Sequence, residues 1–446
     1  MTHTPPRRAV IAPPAPSYSG LAMLHQPLTP RCVAATRQRG AVILTTALLL
    51  LFLLGFMGIA VDFGRLFVVK SELQTAMDSC ALAAAQELDR GSDALTRAAS
   101  AGLTAGNLNR IHFQGEAAGL ADAEVTFSDS LNGSYSRTFT PVANATYARC
   151  THTRTGLVPW LLQAFSGFTG NAGYQATQGV FALGVATRSS AQSACAIPVQ
   201  INPKSGSAAP NWGFTPGEWV AALYDEKGNN AAPTPGHFGW ANLDGTTNAT
   251  ATKSELLGNG HCDLTTGDTI GTSGAKFSAA LEWNSRFGLY KNGGGNPKID
   301  SATPDLSGYS YTAKNWPSRS NAVSDFLARR AGHRSYGDTT DTVNSGDTIT
   351  GLNIKGGYKS ADMATYAAGP NALATHGGSR RLVHAPFVIG GVIKDWACVL
   401  MLHPIDSVQT TVYLEYVGNA ASPSSPCTSV GLAGGTNGPL VPVLVQ

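Results

Sequence analysis

Apolar and polar positions fall into distinct patterns along this chain. From Ala41 to Val61 the sequence AVILTTALLLLFLLGFMGIAV holds twenty-one residues without a charge, against the roughly 20 that cross a ~30 Å hydrocarbon core as a helix. The pattern predicts a transmembrane helix. VDFGRLFVVKSELQTAMDSCALAAAQEL follows without a proline, and its Ala, Leu, Glu and Gln favour continuation of the same helix to about Leu88. From Ser92 to Arg110, Ala and Leu recur at helical spacing before Gly and Asn stop signals, which predicts a second, short helix folding back.

Beyond that helix the period shortens. AEVTFSD, SRTFTPV and ATYARCTHTR alternate polar and apolar residues around the turn-like LNGS, as a meander of strands does. LVPWLLQAF reads as a compact apolar helix or turn, and Tyr174 to Ser190 returns to strand character. From Cys195, where CAIPVQI reads as a strand, short apolar pieces are separated by Gly, Asn, Ser and Thr. SELLGN, FSAALEWNSRF and NAVSDFLARRAG carry helix patterns, whereas KNGGGNPKIDSATPDLSG and SYGDTTDTVNSGDTITG read as exposed loops. PFVIGGVIKDWACVLML is interrupted by Lys394 and Asp395 and is too short to span a bilayer, so it predicts a buried strand pair.

The predicted class is α+β: a single N-terminal transmembrane helix with a long periplasmic helical extension, followed by β-rich exterior domains. The expected segments are a disordered cytoplasmic leader over 1–39, the transmembrane helix and its extension over 40–91, a small α+β exterior domain over 92–190, and a β-rich exterior domain over 191–446.

Composition and charge sharpen this picture. Only 13% of the 446 residues are charged, whereas Gly reaches 50, a balance that suits strands and turns better than a helical enzyme rich in surface ion pairs. The net charge of +3 has no Lys/Arg-dense stripe with interleaved aromatics, which argues against nucleic acid as a partner. The first 61 residues contain no Asp or Glu yet carry Arg7, Arg8, Arg31, Arg37 and Arg39. Positive residues stay on the cytoplasmic side, so the expected topology is N-in and C-out in a bacterial inner membrane. A cleaved signal peptide is the competing reading, but its apolar core is usually about 7 to 15 residues, and no A-x-A site closes this run. Residues 1–36 are Pro-rich and unpatterned, as a disordered leader is, and Met23 is an alternative start that keeps Arg31, Arg37 and Arg39.

The stretch RGAVILTTALLLLFLLGFMGIAVDFGRLFVVKSELQTAMDSCALAAAQEL, from Arg39 to Leu88, resembles the N-terminal Tad segment of TadG-like proteins of Flp (tight-adherence) pilus assembly. The Arg-Gly before the apolar run, the VDFGR at its exit and the LQ-x-x-x-D-x-x-ALAAA register from Leu73 to Ala85 carry the resemblance. TTGDTIGTSG, GHFGWANLDG and RRLVHAPFV resemble, more loosely, the domain that accompanies this segment in some relatives. Two departures matter. Prepilin-like relatives are cut after a Gly followed five residues later by Glu, whereas Thr45 stands at that distance from Gly40. The metal-dependent adhesion site of von Willebrand A domains needs Asp-x-Ser-x-Ser, and the nearest string, Asp129-Ser130-Leu131-Asn132-Gly133, lacks its hydroxyls.

Candidate chemistry centres on the cysteines. Cys32 lies on the cytoplasmic side of the expected topology, and Cys80, Cys150, Cys195, Cys262, Cys398 and Cys427 lie outside. An even number in an oxidising compartment favours disulfides, with 15 possible complete pairings. Cys80 and Cys150 are the two cysteines that precede the second exterior body, which suggests that they pair, leaving the other four to pair among themselves. The plain alternative is a Cys80 that serves as a small buried helix residue. Ten histidines form no HxxxH or HExxH pattern and no GxSxG elbow is present. His384 and His403 flank Cys398, but CVLML reads as a buried strand rather than the accessible, electropositive setting of a catalytic thiolate. DTTDTVNSGD lacks calcium-loop spacing.

Asp62 and Arg65 sit three apart at the outer membrane edge, where a helical pair or a headgroup contact is expected. The functional expectation is that Asp62, Arg65, Glu72, Gln74 and Asp78 supply polar contacts toward neighbouring helices of a secretion assembly. Gly55 and Gly58 lack GxxxG spacing. The reading is therefore a non-enzymatic scaffolding component, without cofactor or metal, whose partners are the lipid bilayer and other pilus-assembly or pilin proteins. A membrane-tethered periplasmic hydrolase and an adhesin released by cleavage are the alternatives.

Overall fold

A computed structural model describes residues 39–161, 177–223, 234–246, 249–258, 262–272, 279–299, 301–331, 348–352, 358–360, 380–405, 411–427 and 431–446, with a few single positions between them. Residues 1–38, with Cys32 and Met23, and the DTTDTVNSGD loop lie outside the described residues. The first helix, α1, runs Arg39–Gln86, and the chain divides into two compact units between Gly58 and Ile59.

In the first unit the large apolar side chains from Val42 to Met57 are 55–72% exposed. The helix is long and apolar enough to cross a membrane. The two threonines of this run bond within the helix, Thr45 donating to the Val42 carbonyl at 3.1 Å and Thr46 to the Val42 and Ile43 carbonyls, the arrangement that a hydrocarbon setting would demand.

In the second unit the same helix becomes a core element. Val69, Leu73, Ala76, Met77, Cys80, Ala81, Ala84 and Ala85 are fully buried, a spacing that forms one face of a 3.6-residue helix. A second helix, α2 (Ala94–Leu108), packs beside it. The strands are β1 (Arg110–Ile111), β2 (Glu116–Ala117), β3 (Val125–Ser128), β4 (Tyr147–Leu157), β5 (Gln178–Ser190), β6 (Val199–Ile201), β7 (Glu218–Leu223), β8 (Phe238–Asn242), β9 (Gly271–Thr272), β10 (Leu289–Lys291), β11 (Tyr358–Ser360), β12 (Leu382–Ile389), β13 (Val392–Met401), β14 (Thr411–Asn419) and β15 (Leu440–Leu444).

Helix α1 packs on a four-stranded antiparallel sheet of order β15-β5-β4-β3. Contact is close because Gly184 of β5 faces the helix: a Cβ there would stand 2.8 Å from the Met77 carbonyl oxygen. The final strand, β15, returns from the chain end to pair with β5, Leu440 opposite Ser190 and Leu444 opposite Ala186. SRTFTPV, expected as a strand, makes only an isolated bridge from Ser136 to Phe127 and then turns. Pro141, which has no N–H for a ladder, sits at that turn.

The larger sheet has the order β6-β12-β13-β14-β7-β8-β9, and a further β6–β8 pairing closes six of its strands into a ring. Alternation along the strands sorts the side chains. Ala397, Val399 and Met401 of β13 and Val412, Leu414 and Tyr416 of β14 enter one core with Phe387, Phe214 and Trp283. Cys398 and Leu400 enter a second core, beneath Tyr311 and Phe326. Among the described residues, three helices accompany this sheet, α3 (Ala249–Leu257), α4 (Ala280–Ser285) and α5 (Val323–Ala331). The architecture is α+β, and PFVIGGVIKDWACVLML forms most of the antiparallel pair β12–β13. CAIPVQI contributes strand only over Val199–Ile201, after Pro198.

Candidate functional site

The helix leaves its charge-free run at Val61, and the next residue, Asp62, is 3% exposed. Its carboxylate accepts backbone N–H groups from Trp160 at 2.9 Å and from Leu161 at 3.0 Å. One turn further, Arg65 donates to the Val158 carbonyl at 3.0 Å and lies over the Trp160 ring, 4.1 Å from its centroid. Positions three apart share a helix face, so the DFGR string supplies an anion for N–H groups and a cation for a carbonyl and a ring. Together they grip the segment that follows β4.

Further along, Glu72 accepts the Phe113 N–H at 3.1 Å. His112, Phe113 and Gln114 all have left-handed backbones, with φ of 63°, 58° and 64°, a conformation unfavourable for residues other than glycine. Gln74 donates to the Leu183 carbonyl at 2.6 Å and to Asp78 at 2.7 Å, and Lys70 reaches the Phe181 carbonyl. The five polar residues singled out in the sequence therefore have partners within this chain. Sequence reasoning missed the recipients, Trp160 and Leu161. The signal that could have found them is the apolar string LVPWLLQAF directly after a polar strand.

The six described cysteines stand in three disulfides. Cys80 of α1 joins Cys150 of β4, Cys195 joins Cys262, and Cys398 of β13 joins Cys427, with Cα separations of 6.1, 4.0 and 5.6 Å. The first links the helix that carries the apolar run to the sheet beneath it, and both of its cysteines are fully buried.

Buried ionisable groups in the large sheet are tied into the fold. Glu415 accepts N–H groups from Ala322 at 2.6 Å and Val323 at 3.0 Å, and the Trp219 indole N–H at 3.0 Å. The first two belong to the start of α5, where a carboxylate complements the helix dipole. Burial raises its pKa, against those hydrogen bonds. Asp395, also raised by burial, accepts from Trp396, Trp212 and Asn419. Arg381 is fully buried and donates to the carbonyls of Met401, Ser307 and Tyr309, all within 3.0 Å. Burial pulls it down to about 10. His384 pairs in register with Cys398, and burial pulls its imidazole down to about 4. Cys398 is bonded to Cys427 and so presents no thiolate to that histidine.

A cleft of about 850 Å³ opens between the end of α1 and α5, lined by Glu87, Asp89, Asp93, Arg97, Leu327 and Arg330. Its acidic groups are engaged by Arg97, which pairs with Glu87, with Asp89 at 2.7 Å and with Asp93 at 3.1 Å. Burial alone would lower the Arg97 guanidinium, but the three carboxylates hold it above its ordinary value. Among the described residues, no group of three or more His, Cys, Asp or Glu side chains is placed to hold a metal ion.

Residues 40–87 match the Tad family model, whose description reads "Putative Flp pilus-assembly TadE/G-like". No curated protein and no solved structure gives a match. The matched residues are those that pass from the exposed apolar run into the body's core, and they include Asp62, Arg65, Glu72, Gln74, Asp78 and Cys80.

Proposed function

We propose that this chain is a single-pass, membrane-anchored scaffolding component of a Flp-type pilus or tight-adherence secretion system. In this reading it sits in the bacterial inner membrane, its N-terminus cytoplasmic and its body periplasmic, and it works with other pilus-assembly or pilin proteins. The observation that carries the proposal is the double use of the Tad-matched helix. It is apolar and exposed through Met57, and from Val69 onward it is the central core element of a folded body. The helix that carries the apolar run continues without a break into the body, where its face from Leu73 to Ala85 is buried and Cys80 is joined to Cys150 of β4. The function that follows is positional: the body is tethered at the membrane, where partners meet it.

The test is made in a bacterium that carries this chain and assembles Flp pili. Residues 39–61 are replaced by a cleavable secretion signal, so that the body is exported without its span. We expect the body in the soluble periplasmic fraction and surface pili lost, with pili restored by the full chain. Pili assembled normally on the released body would overturn the scaffold reading. A mature native chain whose N-terminus begins after Val61 would overturn it too, in favour of a released adhesin.

A further inference from the structure

We infer that Trp160 and Leu161, which follow β4, form a second membrane contact, seated in the headgroup–acyl boundary of the bilayer that α1 crosses. This rests on the reading of Ala41–Val61 as the span. The first observation is position. Asp62 is the residue immediately after the charge-free run, and its carboxylate holds the backbone N–H groups of both Trp160 and Leu161. Their backbone is thereby fixed at the level where the helix leaves the hydrocarbon.

The second observation is exposure. Trp160 is 62% and Leu161 43% exposed, and on the adjoining turns of α1 Phe63 is 51% and Phe67 71% exposed. Phe63 and Phe67 are four residues apart and so share a helix face. Large apolar groups gathered at one level, continuous with a span, meet lipid rather than water.

The third observation is charge. Asp62 is buried and occupied by N–H groups, which leaves Arg65 and Lys70 as the charged side chains of α1 nearest this level. Arg65 lies over the Trp160 ring and donates to the Val158 carbonyl, and Lys70, exposed, reaches the Phe181 carbonyl, so each keeps further N–H groups for an outside acceptor. Lys70 is eight residues beyond Asp62, about 12 Å along a helix rising ~1.5 Å per residue, within reach of phosphates by snorkelling. Tryptophan with arginine is the composition of an interfacial belt, where the ring lies at headgroup depth and the cation meets phosphate. A single helix leaves a body free to rotate about the helix axis; a second contact fixes which face of the body points away from the membrane.

Trp160 is one of seven tryptophans, and the other six, Trp212, Trp219, Trp240, Trp283, Trp316 and Trp396, all lie beyond residue 190. The full chain is reconstituted into phosphatidylglycerol–phosphatidylcholine vesicles brominated either near the headgroup or near the chain end. Flotation at alkaline pH is scored first, then tryptophan emission. We expect flotation, quenching of a minority of the emission by the shallow bromines, and loss of that quenched component in Trp160→Phe. Flotation without shallow quenching, or quenching unchanged in Trp160→Phe, overturns the membrane contact while leaving the span intact and assigns the surface to a protein partner. Failure to float overturns the span itself, and this inference with it.

Discussion

Two cores of the second unit, the one beneath α1 and the one inside the ring of strands, are built from different materials. Beneath α1 the buried set is dominated by alanine, at positions 76, 81, 84, 85, 98, 99, 118, 145, 148, 182 and 186, joined by the aliphatic Leu73, Met77, Leu88, Leu95, Ile111, Leu120 and Val125, and among the described residues Phe127 is the single large aromatic fully buried there. In the ring of strands the core holds Trp283, Phe214, Phe238, Phe287, Phe387 and Tyr416, with Phe214, Phe387 and Tyr416 in mutual ring contact at 5.6–6.0 Å. Small side chains let two helices and a sheet approach closely, but each buries little: a large apolar side chain contributes roughly 1.5–3 kcal/mol on full burial and a methyl group well under that. The region beneath α1 thus packs closely and buries less apolar area per residue than the ring, and its other fastenings are a disulfide and the polar grips of Asp62, Arg65, Glu72 and Gln74. The aromatic region has area in plenty and holds its buried charges against backbone groups.

If that contrast is real, single deletions should be costly in the ring. Trp283 is fully buried, donates to the His403 carbonyl at 3.0 Å and meets Trp240 edge-on at 5.5 Å. Trp283→Ala should destabilise the region by up to about 5 kcal/mol, read by urea unfolding in detergent with circular dichroism. A loss near 1 kcal/mol would mean that the ring does not depend on its aromatics. Under the anchor the comparable loss should come from covalent chemistry. Cys80 and Cys150 are 70 residues apart in sequence, and opening a loop of that length by the double change to Ala should cost about 4 kcal/mol in the chain-entropy account. The same unfolding measurement applies, after non-reducing peptide mapping has shown the bond in the wild type.

Acid should also separate the regions. His384 of the large sheet is 2% exposed, its pKa pulled down by burial from 6.5 to about 4. A depressed folded pKa means that the unfolded chain binds the proton more readily. The stability it reflects is present above pH 6.5 and is lost as pH falls toward 4, to a limit of about 3 kcal/mol. Asp395 and Glu415 are raised by burial and act with the opposite sign, favouring the folded state as they protonate. The informative quantity is therefore the difference between the wild type and His384→Gln. The variant should lose the part of the slope between pH 6.5 and 4 that belongs to the imidazole, and equal slopes would refute its burial as a neutral ring.

These contrasts also mark what the sequence could disclose. The run Ala41–Val61 and the helix beyond it were readable because both are local: composition fixes the span, and period 3.6 fixes the buried face that begins at Val69. Helix α2 and strands β3, β4 and β5 follow from short-range periodicity in the same way. Closure of the ring through β6 and β8, and the return of β15 to β5, join residues far apart in the chain, and nothing in a local pattern of Gly- and Ser-separated apolar pieces encodes those partners. Just past the apolar run, Asp62 and Arg65 were legible as unusual polar residues. Their partners were not, because Trp160 lies 98 residues away. Gly184 was silent for a related reason: its role appears only once α1 is laid across β5.

The close approach of α1 to β5 should show the smallest of these effects. A Cβ at Gly184 would lie 2.8 Å from the Met77 carbonyl oxygen, 2.9 Å from its carbon and 3.1 Å from the Asp78 nitrogen. All three are helix backbone, which cannot rotate aside as a side chain can, so Gly184→Ala must push α1 off the sheet or bend β5. Overpacking of this kind costs about 1–3 kcal/mol. Gly179 on the same strand is the internal control, because a Cβ there meets nothing closer than 3.6 Å. Gly179→Ala should fall within about 0.5 kcal/mol of the wild type, as surface substitutions generally do, and even gain slightly through a less flexible unfolded chain. Equal costs at the two glycines, measured by urea unfolding, would mean that the helix is not pressed onto the strand. The small-residue core would then be an accident of composition rather than the reason the anchor sits where it does.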